Sequence, residues 1–195
     1  MIYLASQSPR RQELLQQIGI PFQQLVSEID ETPGGDEAPG DYVCRMAGEK
    51  ARAGWVEVQA RGLPEIPLLA ADTSVVMGSK ILGKPNNPEQ ACDMLLSLSG
   101  NCHAVMTAIA VTNGHKTIVR LSTTQVQMTP FDRLRAEAYV ATGEPADKAG
   151  AYGIQGYGAI LVESIRGSYS GVVGLPLQET ADVLSEFGIT PWHSL

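Results

Sequence analysis

Residues 66–77 read Ile66-Pro67-Leu68-Leu69-Ala70-Ala71-Asp72-Thr73-Ser74-Val75-Val76-Met77, and this stretch decides the architecture. A run so apolar, closed by the turn residues Gly78-Ser79, is a buried strand, and Asp72 is the one charge inside it. Working upstream, residues 41–60 space Val43, Met46, Ala47, Ala51 and Val58 as an amphipathic helix that carries Glu49 and Lys50. Residues 27–40 have loop composition, with Asp30, Glu31, Pro33, Gly34, Gly35 and Pro39, and form the best candidate for a lid. Further upstream, Ile2–Ala5 reads as a strand, Ser8 as a helix cap with Pro9 first in the helix, Leu14, Leu15 and Ile18 as its apolar face, and residues 21–26 as a second strand. Downstream come a short return strand at Ile81-Leu82 and a helix over 88–98. Two long strands at 103–112 and 117–128 follow, joined by Asn113-Gly114. A helix over 130–142, a glycine-punctuated stretch at 147–158, a strand at 159–165 and a last helix to about Phe187 complete the reading. Alternation early and hairpins in the middle predict an α/β (α+β) fold, a mixed twisted sheet flanked by helices.

The chain has 195 residues, and 14 Lys+Arg against 21 Asp+Glu give a formal charge of −7. That size fits one domain or two small lobes sharing a core. No stretch approaches the roughly 20 apolar residues of a membrane helix. The amino-terminal basic residues follow a short apolar run, the reverse of a secretory signal, so a cytoplasmic protein without a membrane partner is expected. The acidic balance and aromatics at 6% argue against nucleic acid as a partner. Cys44, Cys92 and Cys102 are widely spaced and read as reduced packing residues, with Cys102 and His103 pointing to opposite faces of a strand. Trp55 and Trp192 read as packing or surface residues.

The sequence lacks a phosphate loop of the GxxxxGK[ST] type, HExxH, GxSxG and a well-placed GxGxxG. What remains is a distribution of charge. Arg10 and Arg11 lie in the first turn of a helix, where outward N–H groups and the dipole suit phosphate, although for an isolated pair of arginines the sequence favours the plainer reading, a solvated pair. Lys50, Lys84 and Lys148 stand beside small residues or turns. An ionised Asp72 in an apolar strand requires a partner: a structural one such as Thr73 or a lysine, or a functional one, activating water or holding a divalent cation with Glu31 as a second ligand. Asp72 and Glu31 with Arg10, Arg11, Lys50, Lys84 and Lys148 are what a metal-assisted phosphate site needs.

Ser6-Gln7-Ser8-Pro9-Arg10-Arg11, Glu49-Lys50-Ala51, Ala71-Asp72-Thr73, Gly83-Lys84-Pro85, Asp147–Gly156 and Gly171–Leu177, in this order, closely resemble the Maf family of nucleoside triphosphate pyrophosphatases. Gln7 departs from the small residue common there. The resemblance implies a single domain over residues 1–195, with a fold like that of the inosine triphosphate pyrophosphatases and a cleft between two lobes. It implies cleavage between the α- and β-phosphates with Mg²⁺ or Mn²⁺. Asp72 matches the family's proton acceptor, Ser6, Arg10, Arg11, Lys50 and Lys84 its phosphate contacts, and Glu31 an acidic position near the metal. The Asp147–Gly156 stretch resembles the branch acting on dTTP, UTP and modified forms such as 5-methyl-UTP, with Arg11, Thr73 and Gln155 at the positions tied to that choice. The family's association with septum formation and cell-division arrest leaves a second reading, a nucleotide-binding regulator without hydrolysis. The oligomeric state, a homodimer included, stays open.

Overall fold

The computed structural model describes residues 1–26, 28–32, 34–35 and 37–192; Ser27, Pro33 and Asp36 of the expected loop lie outside the described residues. Strand β1 (Ile2–Ala5), helix α1 (Pro9–Gln17) and strand β2 (Phe22–Gln24) form a βαβ unit with β2 parallel to β1. Ser8 holds the cap position as expected, but its side chain makes no capping bond. Its N–H instead donates to Ser6 Oγ at 3.2 Å. Helix α2 (Pro39–Ala60) returns the chain to strand β3 (Leu68–Met77), which lies parallel to β1 on its other side, with Ala5 opposite Ala70. All four residues of β1 are buried, the pattern of a parallel strand covered on both faces.

Beyond β3 come β4 (Lys80–Leu82), paired antiparallel to β3, α3 (Pro88–Leu98), β5 (Cys102–Thr112), β6 (Thr117–Met128) and α4 (Arg133–Val140). The chain ends in β7 (Val162–Arg166), α5 (Tyr169–Val173) and α6 (Leu177–Ser185). The sheet has seven strands in the order β2-β1-β3-β5-β6-β7, with β4 attached to β3, and it mixes parallel and antiparallel pairs. The mixed α/β sheet flanked by helices that the alternation predicts is therefore present. Several boundaries differ, and two of the differences have a visible cause. Asp132 caps α4 through Arg135 N–H at 3.0 Å, so the helix starts later than residue 130. The expected strand at 159–165 begins as a 3₁₀ segment, Tyr157–Leu161, because local acceptors take its first N–H groups: the Glu144 carboxylate those of Tyr157 and Gly158, and the Gly156 carbonyl that of Ala159.

The chain forms two compact units, Met1–Asp72 with 107–122 and 174–195, and Thr73–Met106 with 123–173. In the first, Leu4, Leu15, Val43, Met46 and Leu69 are fully out of water. Gly54 has a positional reason: a Cβ there would collide with Leu68 and press on Ala5, so only glycine lets α2 lie this close to the sheet. Lys50, one turn earlier on the same face of α2, is thereby brought to β3. In the second unit Leu82, Leu95, Leu98, Val126, Met128 and Leu161 form the core. Full burial of such side chains stabilises by about 1.5–3 kcal/mol each.

Candidate active site

The carboxyl ends of parallel strands, where the strand order reverses, are where α/β sheets hold ligands. Here β1 has β2 on one side and β3 on the other, and the residues that follow its end gather charge. Ser6 is buried, and its Oγ accepts from Arg11 Nη1 at 3.3 Å. Arg11 also donates from Nε to the Gly174 carbonyl at 2.8 Å. Burial pulls this guanidinium below its ordinary value; Asp72 and Glu31 work against that, and Arg10 works with it. All three charges are thus within electrostatic reach of Arg11.

Asp72 lies on β3 just beyond the last pair with β1 and is buried. Its Oδ1 is 2.7 Å from Lys50 Nζ, and the same ammonium is 2.6 Å from Glu31 Oε1. One cation therefore satisfies two carboxylates that come from a strand and a loop. Among the protein partners open to Asp72 from sequence, a lysine is present, and it is Lys50.

The loop carrying Glu31 is fastened to α2 in its described part. Tyr42 Oη donates to the Glu31 carbonyl at 2.9 Å, and burial, then the charges of Asp72 and Glu31, push this phenol up to about 12, so it stays protonated as a donor. Arg45 grips Glu37 through two bonds of 2.7 Å and donates to the Thr32 carbonyl at 3.2 Å. The Arg45 bonds, more than any other cause, pull the Glu37 carboxyl down to about 2.

In the second unit a different arrangement surrounds Gln155. Glu144 accepts from Tyr139 Oη at 2.7 Å, Tyr157 N–H at 2.8 Å and Gly158 N–H at 3.0 Å. Tyr139 Oη in turn accepts from Gly153 N–H at 3.0 Å. Burial favours the neutral acid of Glu144, but these donors and the charge of Lys148 outweigh it and hold the carboxyl below its ordinary value. Lys148 Nζ donates to the Glu144 carbonyl and to Asp147 Oδ1, both at 2.7 Å. The Gly150 N–H reaches the Gly83 carbonyl at 3.0 Å, which brings the exposed Lys84 beside this stretch. Next to Gly153, the Tyr152 hydroxyl is 2.8 Å from Nε2 of the buried His103, whose Nδ1 has no hydrogen-bond partner. Burial drops the His103 imidazole to about 4, so it is neutral. Cys102 is exposed where His103 is buried, as the alternation of a strand requires.

The profile of the Maf-like protein family matches residues 1–187. The chain belongs to the Maf-like protein family. Relatives within it include the dTTP/UTP pyrophosphatase of Alcanivorax borkumensis, 52% identical over 99% of this chain and 98% of that one. Those of Methylobacillus flagellatus and Pasteurella multocida, both named dTTP/UTP pyrophosphatase, are 54% and 48% identical over 96% of this chain and cover 93% and 96% of their own lengths. Among solved structures, the Staphylococcus aureus Ham1 protein is similar with a TM-score of 0.42 and 16% identity, covering 66% of this chain and 71% of that one.

For this Maf-like chain the structure brings together Ser6, Arg10, Arg11, Glu31, Lys50 and Asp72 in the first unit. In the second it brings Lys84 and Lys148 to the stretch that carries Gln155, while Thr73 directly follows Asp72 along β3. Sequence reasoning missed Tyr42, Arg45, Tyr139 and Glu144. Tyr42, Arg45 and Glu49 do recur at helical spacing along α2, a polar stripe that was there to be read; Glu144 carries no periodic signal at all. No helix among the described residues is long and apolar enough to cross a membrane. The resemblance implies a divalent cation. Among the described residues no three of His, Cys, Asp and Glu form a ready cage. Mg²⁺ prefers one or two carboxylates together with substrate phosphates, and Asp72 and Glu31, converging on one ammonium, are a donor set of that kind.

Proposed function

We propose that the chain hydrolyses dTTP and UTP, and modified forms such as 5-methyl-UTP, to the nucleoside monophosphate and pyrophosphate. The observation that carries this reading is the meeting of Asp72 and Glu31 at the Lys50 ammonium, within electrostatic reach of Arg11. A triphosphate needs cations for its oxygens, and its hydrolysis needs a base for the attacking water. This cluster holds both. The choice of nucleotide is supported by the names of the relatives and by Gln155, whose amide offers an acceptor and a donor to the N3–H and O4 edge of uracil or thymine.

In this mechanism the cations are fixed before substrate arrives, so charge developing on the phosphates meets oriented partners rather than reorganising water. When triphosphate oxygens take the Lys50 ammonium, Asp72 is released as an acceptor. Its carboxylate takes a proton from the water that attacks the α-phosphorus, the bond to the bridging α–β oxygen breaks, and pyrophosphate leaves. Ser6 and Arg10 add phosphate contacts, as do Lys84 and Lys148, and Arg11 and Thr73 act with Gln155 in selecting the base. Mg²⁺ or Mn²⁺ held by Asp72 and Glu31 would supply further neutralisation of the phosphate oxygens.

The test is pyrophosphate release across dTTP, UTP, 5-methyl-UTP, CTP, GTP, 7-methyl-GTP, ATP and ITP with Mg²⁺ or Mn²⁺. Release confined to the uridine and thymidine members is expected. Release mainly from 7-methyl-GTP would overturn the base assignment, and tight binding without release would leave a nucleotide-binding regulator.

A further inference from the structure

A glutamine amide by itself does not tell uracil from cytosine. Uracil presents the O4 acceptor and the N3–H donor, cytosine the reverse, and turning the amide over by 180° matches either. Selectivity through Gln155 therefore requires its amide to sit among fixed neighbouring dipoles that favour one of its two faces, and this in turn requires the segment that carries it to be held in one shape. Gln155 is exposed, and the segment around it is tied at both ends to Glu144: Gly153 through Tyr139, and Tyr157 and Gly158 directly. A Cβ on Gly156 would overlap the Glu144 carboxylate, and one on Gly158 would overlap Tyr139 Oη, so these glycines are there to let the backbone close on this hub.

We propose that Glu144 is a positioning residue for nucleobase selection, holding residues 153–158 in the one shape that keeps the Gln155 amide among the same neighbouring dipoles, which favour one of its faces. The proposal rests on the reading of Gln155 as the base-contacting residue. Glu144 touches neither base nor phosphate in it; it acts through the loop. Its two carboxylate oxygens divide the work. Oε1 takes Tyr139 and Gly158, and Oε2 takes Tyr157. Glu144→Gln keeps an oxygen for two of those donors and turns an NH₂ group toward the third, whereas Glu144→Ala removes all three acceptors.

The experiment measures kcat/KM for UTP and CTP with the wild-type chain, Gln155→Ala, Glu144→Gln, Glu144→Ala and the double variant Gln155→Ala/Glu144→Gln. The expected wild-type preference is for UTP, lowered roughly tenfold by Gln155→Ala and about threefold by Glu144→Gln, the scale of one or part of one hydrogen bond. The double variant falls no further than Gln155→Ala, because both changes act through one amide. A Glu144→Gln variant that keeps the wild-type ratio while Gln155→Ala loses it overturns the proposal and leaves the reading of Gln155 standing. An equal loss for both nucleotides also overturns it, since a merely structural residue does that. A wild-type chain without preference, or a Gln155→Ala variant that keeps it, overturns the reading of Gln155 and the proposal with it. If Glu144→Ala does not fold, Glu144→Gln and the double variant decide the matter alone.

Discussion

The Lys50 cluster and the Glu144 hub are both polar groups set on an apolar unit, and they are built on opposite plans. At Lys50, one cation is shared by two carboxylates from elements far apart in sequence, with Arg11 in reach. At Glu144, one carboxylate is surrounded mainly by neutral donors, two of them backbone N–H groups of a short glycine-rich stretch. The first plan holds side-chain ion pairs, and a charged ligand can exchange their partners. The second fixes backbone, and a ligand has little to displace there. Charge that must be handed over suits phosphate chemistry, and shape that must be kept suits the recognition of a base.

The comparison breaks most visibly at Asp72. Asp72→Asn keeps size and hydrogen bonding but removes the proton acceptor, and turnover is expected to fall about 10³-fold with the fold intact. Pyrophosphate assays beside a thermal melt check both halves. Lys50→Met comes next: it leaves two carboxylates facing each other without a cation, and kcat/KM is expected to fall about 10²-fold with a lower melting temperature. Lys50→Arg restores the melting temperature more than the activity, because the planar guanidinium replaces the charge but not the compact ammonium.

Acid sharpens the contrast from the other side. The neutral His103 has a folded value of about 4 against 6.5 unfolded, so the unfolded chain binds the extra proton first. Its contribution to stability is complete above pH 6.5 and is lost as pH falls from 6.5 towards 4, by up to about 3 kcal/mol. Denaturant titrations at pH 7 and 4.5 on wild type and His103→Phe check this; the variant should lose less over that interval. The smallest effect is expected at Arg45→Ala. Loosening the loop that presents Glu31 should raise KM by roughly two- to fivefold and leave kcat near its starting value, the pattern of lost uniform binding.

Much of the sheet was legible because its strands are apolar runs punctuated by glycine or proline, and the helices because α2 and α3 carry a clean apolar face. Asp72 was legible as the one charge in a buried strand, though its partner was not, since Lys50 lies 22 residues earlier and only the packing of Gly54 brings it near. The start of β7 was misread because Ala159, its expected first residue, gives its N–H to the Gly156 carbonyl within a 3₁₀ turn whose preceding residues 157–158 are held by Glu144. Arg45 and Glu144 escaped for the same reason. Each acts by closing a loop, and a loop's closing contacts have no period in the sequence.

The division of labour between the two regions is tested most directly by measuring kcat/KM for dTTP, UTP and CTP in parallel on Asp72→Asn and Gln155→Ala. The account predicts that Asp72→Asn lowers all three by a common large factor, while Gln155→Ala changes the preference among them with a much smaller loss of rate. A change of preference in Asp72→Asn, or a uniform collapse in Gln155→Ala, would contradict it.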